Sequence, residues 1–292
     1  MKYYALSDKG LCRNENQDNY GYIGDGRVFF TVVCDGMGGA VGGKLAAELA
    51  VFAALDAVRA AIGADETGSH AEPRPLNDFE VRRILRCALD AANSAVFQRA
   101  SEDADLRGMG TTIVALFVYY GKAYVMHVGD SRLYLFREGK LHRVTRDHSY
   151  VQSLVELGEI TEEEARTHER RNVITRALGI GESVTGDYQC FDLHPLDLFL
   201  LCSDGLSGMV EEAQIENLLS VTEKSVQARC EALVSAALAA GGEDNVTALL
   251  AQTEDEDVAS VWEALAEVCT EDITVTYDAH PLHLDAEEDD GT

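Results

Sequence analysis

Short apolar runs bounded by turn residues dominate the chain. Arg27–Cys34, Thr111–Tyr120, Lys122–Val128, Arg132–Phe136, Asp197–Cys202 and Val246–Gln252 are rich in β-branched and aromatic residues and predict strands. Tyr120-Gly121-Lys122 and Arg137-Glu138-Gly139-Lys140 separate consecutive runs, so Thr111 to Val144 reads as one antiparallel meander. Elsewhere the spacing changes to that of a helix. Gly43–Ile62 places Leu45, Leu49, Phe52, Leu55 and Ile62 near one face. Asp78–Ala100 repeats Val81, Leu85, Leu89 and Val96, and Ser225–Ala240 repeats Val226, Cys230, Leu233 and Ala237. Gly63–Asn77 reads as a loop, and Gly241-Gly242 as the end of the last helix. Helices inserted between runs of antiparallel strands predict an α+β fold, two sheets packed together with helices outside.

Ser149–Asn172 stands apart from this pattern. It holds an amphipathic helical stretch, a turn at Gly158 and a second, charge-rich helical start, with Thr161 and Glu164 spaced as a capping box. A mostly polar helical insert between strands is expected to act as a flap.

Charge divides the chain. The 292 residues hold 51 Asp+Glu and 24 Lys+Arg, a formal net charge of −27. From residue 253 onward there are 14 acids and no Lys or Arg, so the first 252 residues carry 37 acids and all 24 bases. The split predicts a compact body over residues 1–252 and a solvated acidic extension over 253–292. Within the extension, Val258–Val268 has helical apolar spacing and Asp272–Tyr277 alternates like a short strand. A field this negative excludes a dedicated nucleic-acid or anionic-membrane binder. No apolar stretch is long enough to span a membrane. Seven cysteines without a CxxC, and no apolar leader, predict a cytoplasmic protein with reduced thiols, Cys34 and Cys202 being small buried hydrophobes.

Four aspartates stand at the ends of apolar runs, in Gly-containing or polar turns: Asp35, Asp130 and Asp204 after their runs, and Asp244 before Val246–Gln252. A fifth, Asp18, lies in RNENQDN. One such Asp is an ordinary turn former. Four in the same setting predict converging carboxylates, which a divalent cation would compensate. Oxygen ligands without a His/Cys cluster favour Mg²⁺ or Mn²⁺ over Zn²⁺. Gly36 after Asp35 lets the backbone come close enough for its carbonyl to ligate. Arg13 offers a fork for two phosphate oxygens. The Gly-rich turn after Asp35 lacks GxGxxG, and no GxxxxGK[ST] occurs, which argues against a nucleotide fold. No Cys has an Arg six residues on, so a cysteine phosphatase loop is excluded.

SDKGLCRNENQDN, VVCDGMGGAVGGKLAAE, GMGTTIVAL, HVGDSRLYLFREGKL, VTRDHSYVQSLVELGEIT, RRNVITRALG, LLCSDGLSGMV and GGEDNVT, in this order, resemble the bacterial metal-dependent protein Ser/Thr phosphatases of type 2C. The resemblance covers roughly Ala5 to Gln252 and implies a four-layer α/β/β/α fold with two Mn²⁺ or Mg²⁺ ions at one end. It implies that Asp35 bridges both ions, that the Gly36 carbonyl binds the second, and that Asp204 and Asp244 bind the first. Asp18 would support the metal shell, Asp130 would help hold a third, weaker ion, and Arg13 would hold the substrate phosphate. Ser149, Tyr150, Gly158, Arg171 and Asn172 fall in the flap that touches protein substrates. The implied reaction is direct hydrolysis of phosphoserine or phosphothreonine by a metal-bridging water. The implied partners are phosphorylated proteins, a bacterial Ser/Thr kinase and its substrates, met by a monomer.

Several positions depart from the family pattern. Met37 follows Gly36 where animal members place a His, which leaves the proton donor unassigned. Gln17 stands where an acid is common, Ala40 and Lys44 replace His and Glu, and Glu169 replaces Pro in the flap. None of these removes a metal ligand. Two other functions share the fold: a non-catalytic phosphoprotein-binding regulator, and a phosphatase of small phosphate esters.

Overall fold

The computed structural model describes residues 1–24, 28–63, 76–221 and 224–254. The chain runs β1 (Lys2–Asp8), β2 (Asp18–Gly24), β3 (Val28–Met37), α1 (Gly39–Gly63), α2 (Asp78–Glu102), β4 (Gly110–Thr111), β5 (Ile113–Tyr119), β6 (Lys122–Val128), β7 (Arg132–Arg137) and β8 (Lys140–Arg143). It continues through α3 (Tyr150–Glu156), α4 (Glu162–Thr167), β9 (Asp187–Asp192), β10 (Leu198–Cys202), α5 (Asp204–Ser207), α6 (Glu212–Leu219), α7 (Val226–Ala239) and β11 (Val246–Gln252).

Two antiparallel sheets form, in the orders β1-β11-β10-β7-β8 and β2-β3-β5-β6-β9, with β4 on β3. Successive strand residues point to opposite faces. Phe29, Val33, Val114, Leu116, Leu133, Phe199, Leu201 and Leu249 therefore fill the space between the sheets. Their neighbours Phe30, Val32 and Phe117 face α1 and α2. On the other sheet, Leu200, Cys202 and Leu250 face α6 and α7. Because both faces of each central strand are buried, those strands read as unbroken apolar runs. The result is the expected helix–sheet–sheet–helix layering.

Two expectations need correction. The stretch from Thr111 to Val144 is not one meander. β5 and β6 pair in one sheet, whereas β7 pairs with β8 and β10 in the other. The chain changes sheets at Gly129-Asp130-Ser131, a short polar link that looks like a hairpin turn in sequence. The buried face of α1 is also not the leucine stripe. Ala46, Ala47, Ala50, Val51, Ala54 and Val58 are buried, while Phe52 is largely exposed. Small residues let α1 lie close to α2 and to the sheet, and the larger side chains flank that contact.

Strands β2 and β9 and helix α6 left little sequence signal. The two strands are half-exposed edges, DNYGYIG and DYQCFD, without an apolar run. The flap forms as expected, with Ser149 and Thr161 capping α3 and α4 and Glu164 completing the capping box. The elements expected at Val258–Val268 and Asp272–Tyr277 lie outside the described residues, as does most of Gly63–Asn77.

Candidate metal and phosphate site

The loop between β1 and β2 carries Arg13 and is tied to the segment before β11. Asn245 does most of the tying: its side-chain amide donates to the Lys9 and Glu15 carbonyls at 2.8 and 2.9 Å, and its Oδ1 accepts the Gln17 N–H at 2.8 Å. The Leu11 N–H adds a 2.8 Å bond to the Gly242 carbonyl. This brings Arg13 to Asp244, with Nη2 donating to Oδ2 at 2.7 Å. The Arg13 side chain is 53% exposed, so its guanidinium lies at the cleft surface. Asp244 Oδ1 accepts the Asn245 N–H at 2.8 Å.

The hairpin of β2 and β3 sets Asp18 directly opposite Asp35. Paired residues of an antiparallel ladder share one sheet face, and like charges there repel. Asp18 is held from below: its Oδ2 accepts from the Ser203 and Thr247 hydroxyls, each at 2.7 Å. Asp35 is held through its backbone, its N–H donating to Thr112 Oγ1 at 2.9 Å and its carbonyl accepting from the Thr112 N–H and the Thr111 hydroxyl, both at 2.9 Å. Asp204 opens α5 at the end of β10.

At Gly36 the backbone passes so close to its neighbours that an added Cβ would meet the Gly43 carbonyl and lie 2.7 Å from the Gln17 carbonyl. Only glycine fits there. The Gly36 N–H donates to the Gln17 carbonyl at 3.2 Å, and the Gln17 side-chain amide donates to the Gly39 carbonyl at 2.7 Å.

Arg13, Asp35, Gly36, Asp130, Asn172, Asp204 and Asp244 line one cleft of about 540 Å³. A smaller cavity of about 190 Å³ continues beneath the flap, lined also by Ser149, Gln152, Arg166 and Arg171. Of the expected flap contacts, Asn172 reaches both spaces and Ser149 and Arg171 the smaller. Ser149 is buried, and its Oγ accepts the Gln152 N–H at 3.2 Å. Tyr150 and Gly158 line neither space. Tyr150 carries the Arg170 guanidinium 5.4 Å from its ring centre, and Gly158 makes the turn after α3 with φ +70°. Asp18 lies behind the cleft wall.

The electrostatics test whether cations fit here. Burial, outweighing its two hydroxyl partners, pushes Asp18 up to about 7, with Asp204 and Asp244 adding repulsion. Asp35 is pushed well above the carboxylate range by burial, then by Asp18, Asp204, Asp130 and Asp244. Asp130 is raised by burial and by Asp204 and Asp147, and Asp204 by burial and by Asp244. Asp18 Oδ1 and Asp204 Oδ1 are buried without a hydrogen-bond partner. Buried oxygens that repel one another and lack donors suit hard divalent cations.

A different group has ligand atoms packed more tightly. Among the described residues, His127, His148 and Asp187 bring one ligand atom each within 4.8 Å of one another. That group is already satisfied. His127 Nε2 donates to the Arg146 carbonyl at 2.8 Å, His148 Nδ1 accepts the Gly129 N–H at 3.1 Å, and Arg176 donates to Asp187 at 2.9 Å. Among the described residues no three of the aspartates bring ligand atoms that close together.

Sequence reasoning missed the residues that hold the aspartates and the Arg13 loop in place: Thr112, Ser203, Thr247 and Asn245. Ser and Thr near strand ends are too common to stand out. Asn245 had one signal, its place beside Asp244 in GGEDN.

The comparisons agree with this geometry. The family model described as Protein phosphatase 2C matches residues 13–251. The chain is 36% identical over 247 residues to the serine/threonine phosphatase stp of Listeria welshimeri, covering 84% of this chain and 93% of that one. It is 37% identical over 266 residues to the serine/threonine protein phosphatase PstP of Mycobacterium tuberculosis, covering 91% of this chain and 48% of PstP, so it spans about half the length of that relative. The solved structure of the PstP catalytic domain in complex with two manganese ions is similar with a TM-score of 0.71 and 34% identity, over 87% of this chain and 98% of that one.

Proposed function

The chain belongs to the protein phosphatase 2C family, and from that premise we propose that Asp35, the Gly36 carbonyl, Asp204 and Asp244 hold two Mn²⁺ or Mg²⁺ ions. The protein is a metal-dependent protein serine/threonine phosphatase. One observation carries the metal assignment: two buried aspartate oxygens, on Asp18 and Asp204, have no hydrogen-bond donor. Asp18 acts on the ion shell from behind, and Asp130 helps hold a third, weaker ion.

Cations bound there supply Lewis acidity and a nucleophile from water at neutral pH. The chain's own residues do the rest. Arg13 turns its guanidinium from Asp244 to the phosphoryl oxygens and stabilises the charge that grows on them during in-line displacement. Its loop is pinned by Asn245, so the guanidinium is kept beside the cleft before substrate arrives. Ser203 and Thr247 fix one oxygen of Asp18 and leave the other, which has no donor, free to support the ion shell. Met37, next to the Gly36 carbonyl, has no proton to give, so the leaving serine or threonine oxygen takes its proton from water in the cleft. Asn172 and Arg171 form the flap wall against which the substrate protein lies, and Ser149, buried behind them, caps α3.

The substrates are phosphorylated proteins, and the counterpart is the kinase that modifies them. Residues 1–252 form the catalytic domain and 253–292 an acidic extension, a division supported by the family match over 13–251. Among the described residues no helix is long and apolar enough to cross a membrane. We place the protein, as a monomer, in the cytoplasm.

Phosphate release from a phosphothreonine peptide, with Mn²⁺ and with excess EDTA, tests the proposal. Turnover should need the metal and vanish in Asp204→Ala and Asp244→Ala. Full activity in EDTA would overturn it.

A further inference from the structure

We propose that His148 is a positioning residue that fixes the Asp130 turn and both roots of the flap in one arrangement. The metal side of this inference rests on reading Asp130 as a ligand.

His148 grips the turn before Asp130 twice. Its backbone N–H donates to the Gly129 carbonyl at 2.9 Å, and its Nδ1 accepts the Gly129 N–H at 3.1 Å. Gly129 has little freedom to move: its φ is +108°, and an added Cβ would lie 2.6 Å from the Thr112 side chain. Thr112 in turn bonds Ser131 Oγ at 2.7 Å and accepts the Asp35 N–H. The grip on Gly129 therefore sets where the next residue, Asp130, presents its carboxylate.

The same histidine joins the two roots of the flap. Its carbonyl accepts the Thr175 N–H at 2.7 Å, where the chain returns from the flap. Just beyond, Ser149 and Ile174 form an isolated bridge, and the Tyr150 N–H donates to the Val173 carbonyl at 2.7 Å. The ring is only 7% exposed and stacks on His127 with centroids 4.6 Å apart. Nε2 lies between Asp187 Oδ2 at 3.4 Å and Arg176 Nη1 at 3.0 Å. Asp187 also receives Arg176 at 2.9 Å. The ring's orientation is thus fixed at both nitrogens, as with residues that support a metal ligand from behind.

The test compares His148→Leu, which removes the acceptor, with His148→Asn, whose amide oxygen replaces Nδ1. Mn²⁺ is titrated calorimetrically into the full chain, and amide exchange is followed at Gly129, Tyr150 and Thr175. In His148→Leu the weakest Mn²⁺ site should lose at least about tenfold in affinity, and the three amides should exchange faster together. His148→Asn should restore both. Asp187→Asn, a milder change at the far end of the ring, should give the same pattern at smaller amplitude if His148→Leu does not fold. A fall in Tm with unchanged Mn²⁺ isotherms and unchanged exchange at the three amides would overturn the proposal. Asp130→Asn is the reference and should remove the same weak site. If it leaves every Mn²⁺ site intact, the ligand reading of Asp130 fails. Hydrogen exchange then decides for His148: joint acceleration supports it, and independent behaviour of Gly129 and Thr175 overturns it.

Discussion

Two sets of aspartates, buried or half-buried, sit within one sandwich and are treated in opposite ways. Asp147 is gripped by Arg132 at 2.8 Å and Arg143 at 2.6 Å, and its carboxyl falls below its ordinary value because those guanidinium groups outweigh burial. Asp197, with a side chain fully out of solvent, receives a two-pronged contact from Arg137 at 2.7 and 2.6 Å. Asp18, Asp35, Asp130 and Asp204 have no such partner in place, and all are raised. Burial alone does not mark a functional carboxylate. A buried carboxylate whose compensating charge must come from outside the chain does.

The sharpest way to break this contrast is to remove one member of each set. Asp35→Asn should lower turnover of a phosphothreonine peptide by at least about a hundredfold, yet raise the Tm of the metal-free protein by relieving repulsion. Asp147→Asn should do the reverse to stability, costing about 3 kcal/mol because two guanidinium groups lose their counter-charge. Thermal unfolding in EDTA checks both, and equal losses of stability would erase the distinction.

Arg13 tests the exposed side of the site. Arg13→Ala should lower kcat/KM for the phosphopeptide about tenfold or more, with little change in Mn²⁺ affinity measured by calorimetry. A large loss of metal binding would instead make Arg13 a brace for Asp244.

The pH dependence sharpens the contrast further. Asp18 titrates near 3.8 when unfolded and near 7 when folded. Between those values the native state holds more protons, so metal-free stability should fall as pH rises from about 4 to about 7. The Asp147 contribution has the opposite sign: it is present above its unfolded value and is lost as pH falls through its lowered folded value. Asp18→Asn should flatten the fall between about pH 4 and 7, and Mn²⁺ should offset it. Melting curves across that range, with and without metal, give the comparison.

The smallest effect is expected at the extension. Glu254 meets Lys2 at 2.7 Å and the N-terminal amine at 3.4 Å, exposed pairs of little weight. Removal of residues 255–292 should leave peptide turnover within about twofold, as expected for an acidic stretch apart from the buried set.

The parts legible in sequence share a physical cause. Leu198–Cys202 and Val246–Gln252 are buried on both faces, so each is an unbroken apolar run that no loop would carry. The aspartates stood out because Asp35, Asp130 and Asp204 each follow such a run and Asp244 stands just before one. Chemistry at the ends of runs was therefore readable, but what holds it was not. Thr112, Ser203 and Thr247 look like ordinary strand-end hydroxyls until the two sheets are brought together. The change of sheet at Gly129 was hidden for a related reason: a three-residue link has no pattern, and its direction is set by contact with Thr112, which is 17 residues away in sequence.

The pairing of β1 with β11 has a consequence in time. Lys2 lies opposite Gln252 and Asp8 opposite Val246 across the β1–β11 ladder. Asn245 and Thr247, which tie down the Arg13 loop and Asp18, sit at the start of β11. A chain emerging residue by residue from synthesis therefore carries Asp18 and Asp35 early but cannot complete their surroundings until β11 is made. Contacts so distant in sequence form slowly and late. Fragments that stop short of Asp244 should be inactive, however well their first helices and strands have folded, so phosphate-removing activity begins only when β11 closes the first sheet.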